Sequence, residues 1–284
     1  MTAATSGTFR IGGELGVRRL GFGAMRLPTE PGPAREASIA VIHRAVELGV
    51  TLIDTAFMYG WGANEELLAE ALYPYPDDVL IATKVAIEEA PSREDAKVNG
   101  RPEFLRGQVE QALRRLRTER IELLQMHRLD PEIPISEQLG ALRELRDAGK
   151  IGHIGLSEVT VAELAEARKT VEIASVQNRY NVLDREHESV LDACAEADIA
   201  FLPWRPVHPA AATGTAQTAE IAAVAAELDA TAAQVALAWL LDRSPVVLPI
   251  PGTASIGHLV ENVAAAGIRL TEEQRGRLDA LAAP

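Results

Sequence analysis

Eight short apolar runs recur along this chain, each followed by at least one longer amphipathic stretch. That alternation restricts the fold more than any other property of the sequence. The runs are LGFGAM (20–25), TLIDTA (51–56), VLIATK (79–84), IELLQMH (121–127), HIGLS (153–157), ASVQN (174–178), IAFLPW (199–204) and VVLPI (246–250). Helical patterns lie near 36–48, 63–72, 102–117, 136–148, 160–169, 185–196, 217–228 and 231–242. Repeated strand–helix units imply parallel strands joined by right-handed crossovers. An earlier pair, TFRIG and LGVRRL about Gly12–Gly13, reads as a β-hairpin that can plug the bottom of a barrel. Ser136 and Thr271 are expected to start helices.

A single domain over 1–284 is expected, because no Ser/Gly linker or charge block divides the chain. Charged residues at 24 % and hydrophobic ones at 47 % exclude a disordered or fibrous chain. With 28 Lys and Arg against 41 Asp and Glu, the net charge of −13 argues against a nucleic-acid or anionic-membrane partner. The lone Cys194 makes no intramolecular disulfide and reads as a small core side chain. The N-terminus carries no secretory pattern, and no apolar run reaches the ~18 residues of a membrane span. These features predict a cytoplasmic protein with a small-molecule partner and leave the oligomeric state open. The end at Pro284 suggests a short tail and an open pocket.

In a parallel barrel the chemistry stands at the C-terminal ends of the strands. Read in order, those ends carry Asp54 and then Tyr59, Lys84, His127, Ser157, Gln177 with Asn178, Trp204 with Arg205, and PIPGT (249–253). Asp54, Tyr59, Lys84 and His127 come from three adjacent strands. A phenol is a poor proton donor at neutral pH. A neighbouring ammonium is expected to acidify it, and a carboxylate to hold that ammonium in place. His127 can hydrogen-bond a carbonyl oxygen. Such a group protonates a developing oxyanion and has no nucleophile or metal of its own, so a hydride must come from a cofactor.

These motifs resemble the aldo-keto reductase family over nearly the whole length. The resemblance rests on LGFGAMRL (20–27), LIDTAFMYGWGANEELL (52–68), IATK (81–84), LLQMHRLD (123–130), GKIGHIGLSE (149–158), SVQNRYN (175–181) and IPGTASIGHLVENVAAA (250–266). It implies a (β/α)₈ TIM barrel with the hairpin at its bottom and a nicotinamide cofactor, NADPH or NADH. It further implies reduction of an aldehyde or ketone, with Asp54, Tyr59, Lys84 and His127 as the catalytic tetrad and Tyr59 as proton donor. Ser157 and Gln177 are carried over to the nicotinamide carboxamide, and Trp204 to the nicotinamide face. Gly252, Thr253, Ser255, His258, Glu261 and Asn262 fall on the adenine and 2′-phosphate segment. Glu158 falls among the cofactor-binding positions where asparagine is usual, so a different polar contact to the nicotinamide region is expected there, and Trp204–Arg205–Pro206 stands where Tyr–Ser–Pro is usual. Gly252 and His258 stand where many members carry lysine and arginine, which weakens a strict NADPH preference. The helix N-terminus at 253–256 can still bind phosphate.

Other features read as structural. GFGAMR (21–26) has Arg26 where a dinucleotide fingerprint needs its third glycine. Leu105, Val109, Leu113 and Leu116 form a core stripe. His43, His153 and His187 read as packing or surface residues. Trp61 is either a loop anchor or a pocket wall, and Arg205 and His208 reach a cofactor phosphate or face solvent. The irregular stretches 86–103 and 205–216 are expected to carry substrate identity. A binding protein with little turnover, and a metal-dependent hydrolase, are the rival functions. The second lacks a His-x-His pair among the six histidines.

Overall fold

The computed structural model describes residues 1–207 and 216–282. Two antiparallel strands come first, β1 (Thr8–Ile11) and β2 (Leu15–Arg18). There follow β3 (Phe22–Gly23), β4 (Leu52–Asp54), β5 (Leu80–Val85), β6 (Ile121–Met126), β7 (Ile151–Ser157), β8 (Ser175–Gln177) and β9 (Ala200–Phe201). β3 to β9 pair in chain order, all parallel, in one sheet. The intervening helices include α1 (Pro33–Glu47), α2 (Ala63–Leu72), α3 (Pro102–Leu116), α4 (Ile135–Asp147), α5 (Val161–Ala167) and α6 (Glu188–Glu196). After β9 come α7 (Ala216–Glu227), α8 (Ala232–Arg243), α9 (Ile256–Ala264) and α10 (Glu272–Asp279).

The expected eighth strand, 246–250, occupies its place without a regular ladder. Phe201 N–H donates to Val246 O and Leu248 N–H to Phe201 O, both at 2.8 Å. On the other side, Gly21 N–H donates to Pro249 O at 2.9 Å and Gly23 N–H to Pro251 O at 3.2 Å. Pro249 and Pro251 have no N–H to give back, so the pairing with β3 runs in one direction only. The sheet still closes on itself as a (β/α)₈ barrel. Closure also demands small residues at the seam. A Cβ on Gly252 would lie 2.7 Å from the Gly23 carbonyl oxygen, and one on Gly23 2.7 Å from that of Ile250. Both obstacles are backbone and cannot swing away. Gly252→Ala is therefore expected to destabilise the protein by about 1–3 kcal/mol, read as a lowered denaturation midpoint.

The hairpin caps the N-terminal end of the strands. Phe9, Ile11 and Val17 are buried in the main core. Arg18 N–H donates to Thr51 Oγ1, just before β4, at 2.7 Å. Gly12 (φ 60°) turns so close to His153 that a Cβ would lie 2.3 Å from its Nδ1.

The α3 stripe Leu105, Val109, Leu113 and Leu116 is buried as expected, and so is Cys194. Thr160, Thr231 and Thr271 each close a capping box with the residue three positions on. Ser136 is not a cap: α4 begins one residue earlier, at Ile135. The first barrel strand is also shorter than its apolar run, since Ala24–Arg26 turn into a 3₁₀-helix. Among the described residues, no single helix is long and apolar enough to cross a membrane.

Candidate active site

Asp54 ends β4, Lys84 is next to last in β5, and His127 directly follows β6. Tyr59 lies in the turn after β4, where its N–H donates to Ala56 O (3.1 Å) and the N–H of Gly62 to Phe57 O (2.7 Å). Parallel register brings the four to one end of the barrel. Lys84 Nζ lies 2.7 and 2.8 Å from the two Asp54 carboxylate oxygens, 2.8 Å from Thr55 O and 3.5 Å from Tyr59 Oη. The Tyr59 and His127 rings meet edge to face, 6.2 Å between centroids. Asp54, Lys84 and His127 are buried, while Tyr59 is half-buried.

Burial decides the protonation states. It pulls the Lys84 ammonium down, but Asp54 and Tyr59 together hold the group above its usual range. Lys84 is therefore a permanent cation. The Tyr59 phenol is pushed up by burial more than Lys84 draws it down, with Asp54 also pushing up. This corrects the expectation of an acidified phenol. Burial outweighs the ammonium, whose field still reaches the phenol oxygen 3.5 Å away, so Tyr59 is a neutral O–H donor. Burial, then Lys84, Arg128 and Arg93, hold the His127 imidazole well below its usual value. His127 is thus neutral.

A stability prediction follows from His127. The unfolded chain takes up a proton below about pH 6.5, whereas the folded chain does so only at much lower pH. Stability contributed by the neutral ring is full above that pH and falls as the solution is acidified, by up to ~1.4 kcal/mol per pH unit from this group. His127→Gln is expected to flatten that part of the Tm–pH curve.

The other strand ends carry polar groups to the same opening. Ser157 Oγ accepts from Arg128 Nη1 at 3.3 Å. Gln177 is buried and its amide donates to Asp54 Oδ1 at 2.8 Å, joining it to the four residues above. Asn178 is instead tied through both amide atoms to the backbone of Val159. Glu158 takes the left-handed conformation (φ 56°), and its Oε1 accepts from Trp204 Nε1 and from Arg179 N–H. Arg205 is exposed, with its guanidinium 5.3 Å from the Trp204 ring centroid; His208 lies outside the described residues.

At the barrel seam, Thr253 Oγ1 accepts from Ser255 N–H (3.0 Å) and Ser255 Oγ from His258 N–H (3.4 Å) at the start of α9. Each hydroxyl keeps its own proton to give. Together with the helix N-terminus, this donor set suits a phosphate. No lysine or arginine lies between 250 and 264, and Gly252, His258 and Glu261 flank the same turn, with Asn262 buried behind it. The donor set therefore fits a phosphate-bearing dinucleotide, with any cation coming from outside this turn.

The sequence profile of the Aldo/keto reductase family matches residues 19–283. The chain belongs to that family. An uncharacterized oxidoreductase of Schizosaccharomyces pombe is 43 % identical to it, over 98 % of this chain and 90 % of that one. Pyridoxine 4-dehydrogenase of Escherichia coli is 40 % identical, over 98 % and 99 % of the two chains. The crystal structure of an aldo/keto reductase from Klebsiella pneumoniae in complex with NADP and acetate superposes with a TM-score of 0.83 at 29 % identity, covering 96 % of this chain and 94 % of that one.

In this aldo/keto reductase, several supporting residues escape a reading of the sequence alone. Glu65 is fully buried; it accepts from Thr83 Oγ1 and from Arg115 Nε, both at 2.6 Å. The Arg115 guanidinium lies 5.0 Å from the Phe57 ring centroid and packs under Gly62, so α2, β5 and α3 grip the turn that bears Tyr59. Asn64 ties Thr55 Oγ1 to Ala24 O. Over the opening, the 86–99 segment folds back on itself through Glu88 N–H to Lys97 O (2.8 Å) and Asn99 N–H to Ala86 O (2.9 Å). That fold places the Arg93 guanidinium 5.7 Å from the Tyr59 ring centroid. Trp61 is a half-exposed anchor 5.8 Å from Phe57.

Proposed function

We propose that this enzyme reduces an aldehyde or ketone to the alcohol with NADPH, and accepts NADH less well. Tyr59 is the proton donor. Ser157 and Gln177 are assigned to the nicotinamide carboxamide and the Trp204 indole to the nicotinamide face. Arg205 and the segment Gly252, Thr253, Ser255, His258, Glu261 and Asn262 are assigned to the phosphates and adenosine. When bound, the cofactor supplies the hydride. The Klebsiella pneumoniae relative binds NADP, which supports that choice.

The observation that carries the reading is the chain of contacts from the Asp54 carboxylate through Lys84 Nζ to Tyr59 Oη. Lys84 directs an N–H at the phenol oxygen, so the phenol proton points away from the ammonium and toward the opening. There it meets the carbonyl oxygen of a substrate. Neutral His127 has one ring N–H to give the same oxygen, which fixes the carbonyl before charge develops. As the oxygen becomes an alkoxide, it takes the Tyr59 proton; the phenolate left behind is stabilised by the adjacent ammonium. Burial of Lys84 keeps that stabilisation undiluted by water.

The test is consumption of NADPH with a panel of aldehydes and ketones, and of NADP with pyridoxine, the compound for which the Escherichia coli relative is named. Turnover of at least one carbonyl, faster with NADPH than with NADH, is expected. Tight NADPH binding without hydride transfer to any of them overturns the reading in favour of a binding protein.

A further inference from the structure

Two unusual residues of this site, Glu158 and Trp204, lie 46 positions apart and meet in one hydrogen bond. The indole has a single N–H, and Glu158 Oε1 accepts it. The same oxygen accepts Arg179 N–H at 2.8 Å, so the carboxylate is anchored to backbone as well. Its approach depends on a local turn: Glu158 N–H still continues the sheet to Gln177 O (3.0 Å), and the left-handed φ then sends the side chain across toward Arg179. A non-glycine residue keeps that backbone only when its surroundings fix it. The Trp204 main chain is held too, with its N–H donating to Asn178 O at 3.2 Å. One face of the ring looks at Arg205, 5.3 Å from the centroid.

We propose that Glu158 is a positioning residue for the cofactor. Its carboxylate clamps the edge of the Trp204 indole, so that the ring face opposite Arg205 is presented to the nicotinamide, rather than binding the nicotinamide itself. The inference rests on the assignment of Trp204 made above. Fixing the ring before binding removes an ordering cost from the bound state, and the clamp therefore shows in cofactor affinity.

The test is a double-mutant cycle read as NADPH dissociation constants, from quenching of protein fluorescence and from calorimetry, with Tm recorded alongside. Glu158→Ala is expected to weaken NADPH binding about tenfold. Glu158→Gln, which keeps an acceptor for the indole N–H, is expected to stay within about twofold of the parent. Trp204→Phe weakens binding to a similar degree as Glu158→Ala, and the double variant binds no worse than Trp204→Phe alone. An unchanged Tm in Glu158→Ala separates positioning from a general loss of fold. Additive losses in the double variant overturn the proposal, as does Glu158→Ala binding NADPH like the parent, or Trp204→Phe leaving affinity intact. Failure of the parent protein to bind NADPH at all overturns instead the proposed function on which this inference stands.

Discussion

Tyr59→Phe is expected to lose carbonyl reduction by about 10²–10⁴-fold in kcat while NADPH affinity stays within about twofold. The variant keeps the ring and therefore its edge contact with His127 and its place beneath Arg93. It removes only the Oη that lies 3.5 Å from Lys84 Nζ. The three shorter Lys84 contacts, to the Asp54 oxygens and Thr55 O, remain, so the buried ammonium is not orphaned and the fold is not endangered. A loss confined to kcat assigns the proton to Tyr59. Activity within about fivefold of the parent rules out the phenol as the donor and leaves His127 as the remaining candidate. A loss in Kd for NADPH as large as that in kcat assigns Tyr59 to binding.

The protonation states also set how the pH profile of this step must look. Burial raises the Tyr59 phenol despite the ammonium, and His127 is neutral far into acid. Neither group changes charge between about pH 6.5 and 8, so kcat for reduction is expected to be flat there. A sharp decline across that window shows that another group supplies the proton.

Much of the barrel was legible because strand–helix alternation and helix punctuation are local signals. Thr271 was readable as a cap from its neighbours, whereas Ser136 misled because α4 starts one residue before it, with Pro134 at the N-cap and no side-chain cap. The eighth strand was readable as an apolar run, but its irregular pairing comes from which face of Pro249 and Pro251 meets β3, and that is set only on closure. The cluster of Asp54, Tyr59, Lys84 and His127 stood out because three polar residues at the ends of neighbouring strands fall beside a tyrosine in the adjoining turn. The state of Tyr59 did not: its charge balance depends on how deeply the ring is buried, which no spacing encodes. Arg115 was equally silent, as one more arginine beside Arg114 on a helix otherwise read only for its apolar stripe.

Arg115→Met is expected to destabilise the protein by about 3–5 kcal/mol, because it leaves the fully buried Glu65 carboxylate without its cation. At ~2–4 °C of Tm per kcal/mol, that is a fall of roughly 6–20 °C. Methionine keeps an unbranched stem of similar reach, so the loss reports charge more than a cavity. The carboxylate retains only the Thr83 hydroxyl, one neutral donor for an ion that desolvation penalises heavily. Adding Glu65→Gln removes the stranded charge and is expected to recover most of the lost stability, a non-additivity that a packing defect would not show. Because the same guanidinium lies against Phe57 and Gly62, the single variant also loosens the turn that aims Tyr59. Its kcat is expected to fall more than its affinity for NADPH, whose assigned contacts lie on other strands. A Tm for Arg115→Met within 2 °C of the parent would show that Glu65 finds water or another donor, and that the turn is held by its backbone alone.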